Sequence, residues 1–207
     1  MTASVVRVQT PHGTARAHVH KASRPRGALV LGHGAAGSVT ARDLVAVADV
    51  ALSAGLSVAL VEQPYRVAGR RSPAPAKQLD GAWTSVVEQL RADGLAGGVP
   101  LLVGGRSSGA RVACRTVVAT GAHAVLCLAF PLLPPRRSTT PVSRQSELDA
   151  VAVPTLIVQG AADPFGVPSA GPTRRVALVA GNHSLTTDLE GVARAVGGWL
   201  EDVLPEA

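Results

Sequence analysis

The chain has 207 residues, of which 46% are hydrophobic and 16% are charged. This length is enough to bury a full core, so residues 1–207 are expected to form a single domain, and the apolar content excludes a disordered chain. The chain has only two Phe, two Trp and one Tyr, so the core must be built from Val, Leu and Ala. So few aromatic rings also argue against a single-strand nucleic-acid module, which stacks bases on such rings.

The formal net charge is +6, with 20 basic against 14 acidic residues. Lys21 and Lys77 are the only lysines, and the 18 arginines are scattered in ones and twos along the chain. No basic run or recognition motif accompanies the charge, so we interpret it as a compositional bias toward Arg and predict no nucleic-acid partner.

Two features of the chain bear on its location. Cys114 and Cys127 each lie in an apolar segment, which is typical of buried thiols in a reducing compartment. Residues 1–20 lack the apolar region of a secretion signal, and the longest apolar stretches are too short to span a membrane. We therefore expect a cytoplasmic protein with no membrane contact.

The order of predicted elements begins with a hairpin and continues as strands alternating with helices. Alternating apolar residues over 4–9 and 15–20 flank a turn, and they predict two half-exposed antiparallel strands. Continuously apolar runs, typical of strands buried on both faces, follow at 28–32, 57–61, 100–104, 124–130, 155–160 and 175–179. Helical patterns lie between them at 41–54, 75–92, 107–120 and 185–203, and a long connection at 131–153 ends in a helix-like 147–150.

This order predicts an α/β fold, with a mostly parallel central sheet, helices on both of its faces and an N-terminal antiparallel hairpin. In such sheets ligands bind beyond the carboxyl ends of the strands, so the residues that follow each apolar run are the candidates for chemistry. The exposed edge of the hairpin, residues 4–20, is a possible site for pairing with a second copy as a homodimer.

The first candidate is Ser107, which lies in the segment Gly105-Arg106-Ser107-Ser108-Gly109 after the run 100–104. This is the G-x-S-x-G pattern, in which a nucleophile occupies a strained strand-to-helix turn and the glycines allow close backbone approach. The neighbouring Ser108 does not fit the pattern. A plain strand-to-helix turn is the alternative interpretation of these five residues.

A serine hydroxyl needs a base, and the base needs a carboxylate to orient it. Asp163 follows the run 155–160, and His183 follows the run 175–179, which gives the order Ser, acid, His expected for this type of sheet. The other five histidines precede the parallel sheet, lead into a strand or belong to a glycine loop. The residues after the run 124–130 offer no acid, so the position falls to Asp163.

The segment Gly32-His33-Gly34-Ala35-Ala36-Gly37 follows the run 28–32 and has two interpretations. In hydrolases, a loop of this kind supplies one backbone amide of an oxyanion hole, which here selects the amides of Ala35 and Ser108. The same letters satisfy the dinucleotide fingerprint G-x-G-x-x-G, with Glu62 as the acid that binds ribose. Against a Rossmann fold, the next helix is predicted to begin after the glycines.

Several segments besides these motifs resemble the α/β-hydrolase superfamily, and within it a small lidless branch allied to dienelactone hydrolases. They are Gln63-Pro64-Tyr65 with Gly69-Arg70-Arg71, the segment from Gly104 to Arg111, Phe130-Pro131-Leu132, and Gln159-Gly160 through Gly166. The resemblance implies the α/β-hydrolase fold without a cap domain and a catalytic triad of Ser107, Asp163 and His183. Dienelactone hydrolases use Cys where this chain has Ser107.

These observations predict a serine hydrolase that transfers an acyl group from a small ester to water, with no cofactor and no metal. Residues 65–71 and 131–144 are expected to cover the site. Tyr65, Arg70 and Arg71 are the candidates for contact with a small-molecule substrate, and Arg136 and Arg137 add to a charge that would attract an acidic one. The alternatives are a solvated face for these arginines, and a non-catalytic binding or scaffold protein that keeps the hydrolase fold.

Overall fold

The computed structural model of the protein describes residues 3–134 and 142–205. Within these ranges the chain alternates between strands and helices as predicted. The strands are β1 (Ala3–Thr10), β2 (Gly13–His20), β3 (Gly27–Gly32), β4 (Leu56–Glu62), β5 (Leu101–Arg106), β6 (Ala124–Leu128), β7 (Thr155–Gly160) and β8 (Arg174–Val179). The helices are α1 (Arg42–Ser53), α2 (Pro64–Val67), α3 (Ala76–Ala92), α4 (Ser108–Thr120), α5 (Gln145–Asp149) and α6 (Leu189–Val203).

The strands form one sheet in the order β1-β2-β4-β3-β5-β6-β7-β8. The hairpin β1–β2 is antiparallel and joins β4 in antiparallel fashion, whereas all the remaining neighbours are parallel. The predicted fold class is therefore confirmed. The strand β1 is at one edge of this sheet, with Val5 exposed, and its pairing with a second copy stays a prediction.

Helices cover both faces of the sheet and bury a separate apolar cluster on each. Helices α3 and α4 pack on one face, and α1 and α6 pack on the other. In β3, Ala28 and Val30 point to the first cluster, while Leu29 and Leu31 point to the second. The strands β3 to β7 are buried on both faces, which is why continuous apolar runs predicted them. The run 175–179 also predicted a strand, but its expected burial was wrong: β8 lies at the edge of the sheet, with Arg175 and Leu178 exposed.

Cys114 in α4 and Cys127 in β6 lie side by side in the first cluster as free thiols, with their Sγ atoms 3.5 Å apart. Their predicted burial is confirmed. The hydrogen bond with Cys114, together with burial, holds the pKa of the Cys127 thiol well above its ordinary value. The Cys127 thiol therefore stays protonated, and both cysteines serve as small packing groups.

Several predicted element ends differ from the structure, and three of these differences have a local backbone cause. Strand β6 ends at Leu128 rather than at residue 130, because Ala129 turns the chain with φ of 48°. Helix α6 begins at Leu189 rather than at residue 185, because Leu185 has φ of 54° and Asp188 caps the helix by accepting a hydrogen bond from the amide of Gly191. Helix α4 begins at Ser108 rather than at residue 107, because Ser107 has φ of 52°, outside the helical region.

No helix in the described ranges combines the length and the hydropathy that crossing a membrane requires.

Candidate active site

The turn from β5 to α4 holds Ser107 in a conformation that few residues other than glycine adopt, with φ of 52° and ψ of −107°. Its amide donates a hydrogen bond of 2.9 Å to the carbonyl of Leu128 in β6, and its carbonyl accepts one of 3.2 Å from the amide of Arg111. Backbone strain of this kind persists only where the surroundings hold it, and it is common at functional sites. The turn presents the Ser107 side chain at the carboxyl edge of the sheet.

The glycines on either side of Ser107 are needed because α4 lies directly against the end of β3. A Cβ on Gly105 would come 2.5 Å from the carbonyl oxygen of Gly32, and a Cβ on Gly109 would overlap that same oxygen. Both contacts are with backbone atoms, which cannot rotate out of the way. The structure therefore has, at both glycines of the G-x-S-x-G pattern, the close backbone approach that was predicted.

The structure brings Ser107, His183 and Asp163 together in one hydrogen-bonded line. Nε2 of His183 lies 2.9 Å from Oγ of Ser107, and Nδ1 lies 2.8 Å from Oδ2 of Asp163. A carboxylate only accepts, so Nδ1 carries the proton and Nε2 accepts from the serine hydroxyl. The Asp163 side chain is fully buried and the His183 side chain is 19% exposed, so the line runs from the interior to the surface.

Two further groups fix the Asp163 carboxylate. Nε2 of Gln159 donates to Oδ2 over 2.8 Å, and the amide of Phe165 donates to Oδ1 over 2.9 Å. Gln159 is completely buried in β7. Its role was not predicted, although an amide side chain within a mostly apolar buried strand was an available signal.

The ring of Phe165 packs edge to face against the imidazole of His183, with 4.6 Å between ring centroids and 65° between planes. The next residue, Gly166, lies against the side chains of Leu132 and Leu133. The Phe165 ring thus borders the imidazole on an apolar side. Phe165 belongs to a segment that resembles the family, but nothing in the local pattern indicates that its ring contacts His183.

The glycine loop after β3 leaves the amide of Ala35 free. The carbonyl of Gly34 accepts from Nδ1 of His33 over 2.8 Å and from the amide of Gly37 over 3.0 Å. In a trans peptide the N–H points opposite to the carbonyl, so the amide of Ala35 is directed away from the His33 ring. Within residues 3–134 and 142–205, neither this amide nor that of Ser108 donates to a protein acceptor.

His33 is a buried support for this loop. Its Nε2 accepts a hydrogen bond of 3.1 Å from the amide of Gln63, while its Nδ1 donates to Gly34. Burial lowers the pKa of His33, and this effect outweighs the bond to Gly34. The imidazole is therefore neutral, which is the form that this pattern of one donor and one acceptor requires.

Tyr65 lies behind the same loop rather than on the open side of the site, which differs from the expectation that it contacts substrate. Only 4% of the residue is exposed, and its hydroxyl donates a short hydrogen bond of 2.6 Å to the carbonyl of Ala35. Burial raises the pKa of Tyr65 to about 12, so the hydroxyl stays protonated and remains a donor. Tyr65 thus fixes the peptide that follows the free amide.

The arginines predicted to contact substrate have a different setting. Arg70 and Arg71 are exposed, and neither side chain pairs with an acid among the described residues. Their contact with substrate stays a prediction. Arg136 and Arg137 lie outside the described residues.

The dinucleotide interpretation of the glycine loop does not agree with the geometry. Helix α1 begins at Arg42, so the glycines do not form the start of a helix that would face a pyrophosphate. The carboxylate of Glu62 lies 3.1 Å from His18 in β2 rather than beside the loop. No group of three or more His, Cys, Asp or Glu within the described ranges is arranged to hold a metal ion.

Residues 25–188 match the family described as the alpha/beta hydrolase domain, which covers most of the chain and all the residues of this site. The chain belongs to the α/β-hydrolase family. The turn at Ser107, the loop at Ala35 and the loops of Asp163 and His183 all fall within the matched range.

Solved structures with the same fold extend over almost the whole of this hydrolase. The lidless α/β serine hydrolase XC6422 from Xanthomonas campestris has a TM-score of 0.80 and 16% identity, covering 100% of this chain and 97% of that one. Est1E from Butyrivibrio proteoclasticus has a TM-score of 0.76 and 15% identity, covering 96% of this chain and 98% of that one. Dienelactone hydrolase from Anabaena variabilis has a TM-score of 0.76 and 17% identity, covering 99% of each chain. No curated protein has a matching sequence.

The contact between Tyr65 and Ala35 predicts a modest loss of rate in Tyr65→Phe. This change removes one hydrogen bond, worth about 0.5–1.5 kcal/mol, from the loop that carries a free amide. We expect kcat for ester hydrolysis to fall by about 3- to 10-fold with KM nearly unchanged. Steady-state kinetics on a p-nitrophenyl ester measures both constants.

The matched control is Thr120→Val, because the Thr120 hydroxyl is also buried and bonded to carbonyls, at the opposite end of α4 from Ser107. It should lower stability while leaving kcat unchanged. Equal kcat values for Tyr65→Phe and the wild type would show that the hydroxyl does not support the loop in catalysis.

Proposed function

We propose that the protein is a serine hydrolase that cleaves a small carboxylic ester through an acyl-enzyme intermediate. The observation that carries the proposal is the hydrogen-bonded line from Ser107 through His183 to Asp163, with distances of 2.9 Å and 2.8 Å. The membership of the chain in the α/β-hydrolase family supports hydrolysis as the general reaction. Structural neighbours that are named esterases or serine hydrolases share the fold and support the same class.

In the first step Ser107 attacks the ester carbonyl while Nε2 of His183 accepts its hydroxyl proton. The serine needs this help because its hydroxyl is a weak nucleophile at neutral pH. Asp163 keeps the proton on Nδ1 and stabilises the imidazolium that forms. His183 then gives its proton to the departing alcohol, which leaves an acyl group on Ser107.

In the second step water attacks the acyl group with His183 again as the base. The imidazole is 19% exposed, so water can reach Nε2 once the alcohol has left. The proton then returns from His183 to Ser107, and the carboxylic acid is released. Atoms and charges balance without a cofactor or a metal.

The amides of Ala35 and Ser108 are proposed as the donors that stabilise the oxyanion in both steps. Their support is that neither donates to a described residue, and that Gly34 lies beside Ser107, with a Cβ on Gly34 falling 3.6 Å from that of Ser107. One such donor contributes about 3 to 4 kcal/mol to the transition state in studied hydrolases. The loop at Ala35 therefore matters nearly as much as the catalytic side chains.

Labelling with a fluorophosphonate, together with a p-nitrophenyl ester series from acetate to octanoate, tests this function. The wild type should become labelled and should hydrolyse the short esters, and labelling should abolish hydrolysis. His183→Ala should prevent both. If the wild type neither labels nor hydrolyses any ester, the alternative of a hydrolase-fold binding or scaffold protein is correct and the enzyme proposal is wrong.

A contribution of Arg70 and Arg71 to substrate choice is tested by comparing a neutral ester with a carboxylated one of similar size. Both guanidinium groups are exposed, and exposed ion pairs contribute no more than about 1 kcal/mol. We therefore expect Arg70→Ala/Arg71→Ala to lower kcat/KM for the carboxylated ester by no more than about fivefold, and to leave the neutral ester unchanged. Equal effects on the two esters would exclude recognition of the carboxylate.

A further inference from the structure

The residue before the nucleophile, Arg106, joins three parts of the site. Its Nε lies 2.8 Å from Oδ2 of Asp43 in α1, and its Nη2 donates a hydrogen bond of 3.0 Å to the carbonyl of His183. Its Nη1 lies beside Gly34, where a Cβ would come within 2.9 Å of it. One guanidinium therefore touches the start of α1, the glycine loop and the loop of the proposed base.

The acid partner of this guanidinium is deeply buried. The Asp43 side chain is 1% exposed, and its other oxygen accepts from the amide of Leu44. Burial raises the pKa of Asp43, although the charge of Arg106 opposes that effect. A charge at this depth needs a paired cation, so the carboxylate fixes where the guanidinium lies.

Stability alone is a poor explanation for this pair. Replacing a buried ion pair with packed apolar side chains is often neutral or even stabilising, because both charges must be desolvated. Arginine has a planar set of donors that can hold two acceptors at fixed positions, which lysine and apolar side chains cannot do. The arrangement therefore favours a role that depends on geometry.

The geometry that Arg106 controls is the distance between the proposed nucleophile and the proposed base. Its backbone adjoins Ser107, and its side chain holds the carbonyl of His183. Apart from the bond between Nε2 of His183 and Oγ of Ser107, the other hydrogen bonds of the His183 loop are local or lead to the Asp163 loop, such as those from Leu185 to Asn182 and from Ala162 to Gly181. Among the described residues, Arg106 thus supplies the hydrogen bond that ties the backbone of this loop to the strand before Ser107.

We propose that Arg106, held by Asp43, is a positioning residue that keeps Nε2 of His183 within hydrogen-bonding distance of Ser107. This inference rests on the proposed function. It assigns no direct contact with substrate to Arg106. A displacement of reacting groups by about 1 Å costs on the order of 100-fold in rate, so a small movement of the His183 loop has a large effect.

The test compares Arg106→Lys with the double variant Asp43→Leu/Arg106→Met. Lysine can pair with Asp43 but cannot also reach His183, and the double variant removes both charges and leaves none buried alone. Both should fold. We expect kcat for a p-nitrophenyl ester to fall by about 10- to 100-fold in each, with KM within about threefold of the wild type.

The matched control is Arg115→Met. Arg115 lies in α4, its side chain is 20% exposed against 19% for Arg106, and it pairs with Asp80 and Glu147 away from the His183 loop. It should lower stability and leave kcat within about twofold of the wild type. If Arg106→Lys and the double variant also keep kcat within twofold, the inference is wrong.

A second readout separates this inference from the proposed function, because it needs no turnover. The proton on Nδ1 of His183 that faces Asp163 gives a low-field ¹H NMR resonance, which is assigned by its absence from His183→Gln. In the Ser107→Ala background this resonance should shift or broaden with Arg106→Lys and stay in place with Arg115→Met. An unchanged resonance with Arg106→Lys would overturn the inference even if the wild type proves to be an esterase. Conversely, a shifted resonance in a protein that hydrolyses nothing would leave the positioning intact and refute only the enzyme.

Discussion

Replacing Ser107 with alanine is expected to lower kcat for p-nitrophenyl acetate by about 10⁴- to 10⁶-fold. The change removes the only nucleophile of the line Ser107–His183–Asp163, and water must then attack the ester directly. The activity that remains comes from binding and from the amides at Ala35 and Ser108. Long end-point assays with the purified variant and short assays with the wild type measure the ratio of their kcat values.

The fold should survive this substitution. The hydroxyl of Ser107 bonds only to His183 among the described residues, and alanine tolerates the strained turn as well as serine does. Ser85→Ala is the matched control, because Ser85 also carries a half-buried hydroxyl with one hydrogen bond, to the carbonyl of Gly81 in α3. It should keep full activity. A Ser107→Ala variant within tenfold of the wild type would exclude Ser107 as the nucleophile.

The parts of the fold that local patterns determine could be predicted well. A strand buried on both faces is apolar at nearly every position, so the runs marked β3 to β7 before any long-range contact was known. The glycines at 105 and 109 were predictable for a similar reason, because only a residue without a side chain permits the approach of α4 to β3. The order of Ser107, Asp163 and His183 along the chain followed from the motif and from the strand ends.

Contacts between distant segments could not be predicted in the same way. Asp43 lies in the first turn of α1, where the helix dipole favours an acid, and nothing near it in sequence indicates its pairing with Arg106. Tyr65 was expected on the open side of the site because a motif places a residue in a loop but does not say which side of the loop it faces. Helix α6 was predicted four residues too long because the positive φ of Leu185 has no signal in the apolar pattern.

Gly109→Ala is expected to produce the largest loss of stability, about 3 kcal/mol or more, or to prevent folding. The added methyl group would overlap the carbonyl oxygen of Gly32 and come 2.9 Å from that of His33. These atoms belong to the end of β3, which pairs with β5 through Gly32 and Gly105, so they cannot retreat without opening the centre of the sheet. The same movement would shift the loop of Ala35, so activity should fall together with the melting temperature.

The matched control for that loss is the same substitution in α6, Gly198→Ala. Gly198 is exposed, and a Cβ there meets nothing within 4 Å. Alanine is favoured over glycine inside a helix, so this variant should gain about 0.5–1 kcal/mol. We therefore expect urea unfolding to show a lower free energy of unfolding for Gly109→Ala and a higher one for Gly198→Ala. The same added methyl group has opposite effects because the backbone beside it differs. Equal free energies of unfolding for the two variants would mean that α4 does not pack against β3 as closely as the turn at Ser107 requires.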